Sequence, residues 1–133
     1  MSTPRNTLTT TADPIDRPPV ADRVAAATDD YNRQFHALAA TRPGTDAERA
    51  ERAQRLSMIC ARTAGWWRVL ATHCDPGVHA VFRLAAVAAE CQERDRARFW
   101  RDLAADWQAR AEQRPTSDAA GALSNWAELG VTT

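Results

Sequence analysis

A chain of 133 residues, 44% hydrophobic and 26% charged, holds enough apolar material for one core and too little for two. Its 17 basic and 17 acidic side chains interleave and cancel, which argues against a nucleic-acid binder, whose affinity comes from neutralised phosphates. No run of apolar residues is long enough to span a membrane as a helix.

All 17 basic residues are arginine, and alanine is abundant while glycine, at 5, is scarce. Alanine is the best helix former and glycine among the worst, so composition favours helix. The first residues lack a basic stretch followed by an apolar run, so no secretory signal is expected. With 3 cysteines, an odd number, the expectation is reduced thiols and a cytoplasmic location.

Residues 1–17 are polar and threonine-rich, and are expected to form a mobile tail. A single helical domain is then expected over residues 18–130. Its first helix should start at Pro18 and Pro19 with help from Asp16, since proline is tolerated in a helix's first turn. Val20, Val24, Ala27, Tyr31, Phe35 and Leu38 mark one face of it, and Pro43-Gly44 ends it.

The second helix opens on a capping box, Thr45-Asp46-Ala47-Glu48, supported by Glu48/Arg52 and Glu51/Arg55 pairs one turn apart. Leu56, Ile59, Cys60, Thr63, Trp67, Leu70 and Cys74 form its apolar face. Asp75-Pro76-Gly77 breaks it, with Asp75 expected to cap the next helix. That third helix should bury Val78, Val81, Phe82, Ala85, Ala88 and Cys91. No glycine or proline interrupts it before Pro115, so one long helix is expected to about Arg114, with Asp95 on the buried stripe beside Arg52 or Arg55. Thr116 or Ser117 can cap a short fourth helix carrying Leu123, Trp126 and Leu129 up to Gly130.

Short connections make sequential helices antiparallel neighbours. The expected fold is therefore all-α: an antiparallel three-helix bundle with a short fourth C-terminal helix and a mobile N-terminal tail. Reflection about the turns sets Cys60 level with Cys91 and Trp67 level with Ala85. A first helix of about 24 residues spans roughly 36 Å, less than its neighbours, which would leave the hairpin tip uncovered.

That tip suggests the function. Trp66, Val69, Leu70, Val78, Val81 and Phe82, together with Trp100, are candidate partner-binding residues, because large apolar side chains left wet usually mark association sites. The expected activity is non-enzymatic: association with another copy or another protein through residues 66–82. An alternative places a small-molecule site, or a small enzyme's site, between the helices at Tyr31, Cys60, Trp67 and Cys91. His73, Cys74, Asp75 and His79 carry metal-ligating side chains around one turn, although their spacing fits no zinc signature. Glycine-rich phosphate loops, nucleophile elbows and paired Glu-x-x-His motifs are absent from the sequence, so no cofactor is expected.

Overall fold

The computed structural model describes residues 18–113. Three helices occur there in chain order: α1 (Val20–Ala39), α2 (Asp46–His73) and α3 (Ala80–Ala111). No strand occurs among the described residues, and none of these helices is long and apolar enough to cross a membrane. The expected tail, the Asp16 cap and the short helix carrying Leu123, Trp126 and Leu129 lie outside the described residues.

Each helix end has a local cause. α1 starts directly after Pro18 and Pro19, with no side chain capping it. At the start of α2, Thr45 Oγ1 accepts from the Glu48 amide at 3.1 Å, as the capping box requires. Glu48 answers one residue earlier than expected, its carboxylate accepting from the Gly44 amide at 2.8 Å. Arg52 turns away from Glu48 and donates to the carbonyls of Thr41 at 2.6 Å and Ala39 at 3.4 Å. It thereby satisfies the last carbonyl of α1, which has no partner within that helix, and one in the turn that follows.

α3 begins later than Asp75 would place it. Pro76-Gly77 continue the turn, and the Asp75 carbonyl accepts from the Val78 amide at 3.0 Å. His79 is the N-cap, its Nδ1 accepting from the Val81 amide at 3.1 Å. From there α3 runs 32 residues without interruption.

The core sits chiefly between α2 and α3, which run antiparallel. On α2 the facing residues are Ala50, Ala53, Ser57, Cys60, Ala64, Trp67 and Ala71, at alternating spacings of three and four. On α3 they are Ala86, Glu90, Glu93, Ala97, Trp100, Ala104 and Trp107, at the complementary spacings. These are coiled-coil seams built largely from small side chains. Small side chains let the two backbones approach closely, and Ser57 Oγ donates across the seam to the Ala97 carbonyl at 2.8 Å.

α1 lies antiparallel on α2, with Val24 and Leu56 fully enclosed. It touches α3 mainly through Phe35, which meets Trp100 edge-on at 6.1 Å and lies under Arg96 at 4.6 Å. Trp107 is held between the guanidinium groups of Arg49 and Arg110, at 5.0 and 4.7 Å. Such contacts place charged groups over the negative face of the ring.

Two expectations need correction here. α3 is rotated relative to the expected stripe: Val78, Val81, Phe82, Ala85, Ala88 and Cys91 are all exposed, and the alanine seam packs inward instead. Asp95 follows that rotation outward and pairs with Arg98 at 3.0 Å, its side chain 74% exposed. The physical reason is that alanine allows a closer helix approach than valine or leucine, and that Trp100 and Trp107 fix the buried side further along. Nor does α1 fall short of the tip. Val20 and Ala21 line the same cavity as Leu70, Cys74 and Asp75.

Candidate docking face on the third helix

The first half of α3, residues 80–91, reads Ala-Val-Phe-Arg-Leu-Ala-Ala-Val-Ala-Ala-Glu-Cys. It is apolar almost all the way round, a pattern that in a globular protein belongs to a helix enclosed on every side. Only one side is enclosed here, by α2 through Ala86 and its neighbours.

The opposite side carries Val81, Leu84, Ala88 and Cys91, at spacings of three, four and three, with Val87 and Ala85 on its flanks. Val81 is 55% exposed, Leu84 67% and Val87 43%. α3 thus bears two heptad stripes half a turn of the helix apart, one filled and one bare. The bare stripe ends at Asp95, the next position in the same spacing, and at the turn before α3.

Phe82, 65% exposed, continues the inner seam one turn before Ala86 and lines a cavity of about 270 Å³ at the tip. Val20, Leu70, Cys74 and Val78 form the cavity's apolar wall, and Asp75 and Arg83 stand at its edge. Arg83 Nε donates to Cys74 Sγ at 3.4 Å.

The sequence-derived partner residues therefore separate into two groups. Val81 is exposed on the bare stripe, whereas Val78 and Phe82 are exposed at the tip cavity, Phe82 lying on the α2 side of α3 one turn before Ala86. Trp66, Val69 and Leu70 are half-buried on α2, and Trp100 is half-buried between Phe35 and Phe99, with Phe99 at 5.2 Å. Leu84 and Val87 were missed. Leu84 continues the spacing of Val81, Ala88 and Cys91, three residues of the stripe expected inside, but that stripe omits both Leu84 and Val87.

The alternative site comes together only in part. Tyr31 and Cys60 share a small polar cavity with Glu93 and Arg96 where the three helices meet. Its volume is about 30 Å³, room for roughly one water molecule. Cys91 is on the exposed side of α3, so it does not join Cys60; Glu93 does, lining the same small cavity as the thiol. Burial pushes the Cys60 thiol from 9.0 up to about 11; Glu93 adds to the rise and Arg96 opposes it. A thiol held neutral in this way is a poor nucleophile and a poor metal ligand. Arg96 is shared between Glu93, at 2.9 Å, and the Phe35 ring.

The residues around the tip turn likewise separate. His79 is occupied as the α3 cap, Cys74 faces Arg83, and His73 and Asp75 are exposed. Among the described residues no group of three histidine, cysteine, aspartate or glutamate side chains is placed to hold a metal ion. Comparison of the chain with family models, with curated proteins and with solved structures finds no match.

Proposed function

We propose that this chain is a non-enzymatic association module whose docking element is the bare stripe of α3. What supports this is a single observation: Val81, Leu84 and Val87 stand in water on a helix whose other side is already packed. Apolar surface gains about 25 cal/mol per Å² on burial, so a cover over these side chains is worth several kcal/mol. The strip is one helix wide and follows a heptad, and the occupant that matches such a strip is another amphipathic helix.

The test is a pair of substitutions, Leu84→Asp with Val87→Asp, measured on the dilute chain. The expected result is unchanged helix content by circular dichroism and a clear fall in binding of a hydrophobic fluorescent dye. Unfolding of this variant, together with loss of helix in the milder Val87→Ser variant, would show that the stripe belongs to the interior and would remove the proposal.

A further inference from the structure

We infer that the helix seated on the bare stripe is α3 of a second copy of this chain, packed antiparallel about a two-fold axis midway between Leu84 and Ala88. The inference rests on the docking function proposed above and names its partner.

The spacing supplies the register. In heptad terms Val81 and Ala88 occupy one core position, Leu84 and Cys91 the other. Antiparallel coiled-coil layers pair one kind of core position with the other. Val81 then faces Cys91 of the second copy, and Leu84 faces Ala88. Every layer sets a larger side chain against a smaller one, the arrangement that lets facing layers interdigitate. Val87 falls on the flank of the pair, near the level of the axis. The inner seam of α3 against α2 is already antiparallel, so the same helix would use the same geometry on both sides.

Charge selects the same orientation. The apolar part of the stripe is only about 15 Å long at the rise of an α-helix, so its ends count. One end carries Asp95 and Arg98; the other is the turn containing Asp75. In the antiparallel register Asp95 and Arg98 of one copy come level with the turn before α3 of the other, at Gly77 and at Cys74 next to Asp75. A parallel pair would set Asp95 against Asp95 in a core layer, and burying like charges together is costly. With a formal net charge of zero, two copies also meet no overall repulsion.

The chain's own remaining segments match the stripe less well. Leu123, Trp126 and Leu129 follow a turn signal at Pro115. If the helix expected there turned back along α3, Leu129 would come only to about the level of Arg101, some 30 Å short of Val81. Before α1, Leu8 and Ile15 are the only large aliphatic side chains, too few for the stripe.

Sedimentation equilibrium and mild oxidation of the full chain test this together. The expected result is a concentration-dependent dimer that Leu84→Asp weakens by about 30-fold or more, the loss typical of a central contact. Native Cys91 should not cross-link to itself, because two copies of it lie about 15 Å apart in this register, well beyond disulfide reach. Val81→Cys, which this register sets opposite native Cys91 of the second copy, should give a disulfide-linked dimer. Rapid Cys91 self-linkage would replace the antiparallel pair with a parallel one, and a dimer indifferent to both Leu84→Asp and Val87→Ser would move the contact to another face; either overturns the inference. A strict monomer that still binds the hydrophobic dye at this stripe removes the second copy and leaves the docking function standing. A strict monomer whose stripe is shielded from dye removes both.

Discussion

The two stripes of α3 share one helix, one heptad spacing and nearly the same length in the first half, yet they meet opposite surroundings. The inner stripe is alanine-rich, lies against α2, and has a side-chain hydroxyl bridging to the facing backbone at 2.8 Å. The outer stripe carries the larger aliphatic side chains and lies in water. Hydrophobicity does not divide them: Ala86, Ala97 and Ala104 go inward, where they let two rods come close, together with Glu90, Glu93 and the two tryptophans. Greater greasiness on the outer side then becomes a property available to a partner.

This contrast can be broken or sharpened by substitution. The largest effect is expected at Ala64, which is fully buried in the seam. Ala64→Leu should force α2 and α3 apart and cost about 3 kcal/mol, read as a lower urea midpoint in chemical unfolding. A smaller loss would mean that the seam is looser than its alanines imply.

Next comes a pH window. The Cys60 thiol titrates at about 11 in the folded chain against 9.0 unfolded, so the folded state holds its proton more tightly. The stabilisation is complete below pH 9 and is lost as pH rises through about 11, on the order of 2 kcal/mol in all. Comparing native chain and Cys60→Ala across this window isolates the thiol: the difference in stability between them should shrink with rising pH. A difference that stays flat would mean the thiol ionises no less readily in the fold. Thiol-directed reagents at pH 8 should label Cys91 and spare Cys60.

Ser57→Ala removes the hydroxyl that bridges the seam and should cost about 1 kcal/mol, since the Ala97 carbonyl keeps its place in α3. The smallest effect belongs to the outer stripe. Leu84→Ala and Val87→Ala in the dilute monomer should shift stability by no more than about 0.5 kcal/mol, as at exposed positions generally. A loss comparable to that of Ala64→Leu would erase the distinction between the stripes.

Much of the fold was legible in the sequence. Pro43-Gly44 and Asp75-Pro76-Gly77 separate the three helices, Thr45 and Glu48 mark the start of α2, and the lack of glycine or proline after Gly77 makes α3 continuous. The rotation of α3 was not legible. Between residues 80 and 91 both sides are apolar, and choosing the more hydrophobic one as buried put Val81, Ala88 and Cys91 inside. Only the further half of the helix resolves the choice, and only when Trp100 and Trp107 are recognised as continuing the alanine line through Ala97 and Ala104. The candidate docking residues were therefore found in part: Val81 and Phe82 for their place at the tip, but not Leu84 or Val87, whose importance depends on which way the helix is turned. Trp66, Val69 and Leu70 drew notice because α1 looked too short, whereas Val20 reaches their end of the bundle.

The uninterrupted course of α3 gives its two halves different duties. Taken alone, the alanine-, valine- and leucine-bearing half is nearly indifferent to rolling about its long axis. The aromatic half is not, because Trp107 is clasped by Arg49 and Trp100 abuts Phe35. With no break between them, the second half acts as a key whose fit in its lock sets the orientation of a shaft, so residues some 30 Å from Leu84 decide which flank of the shaft is presented outward.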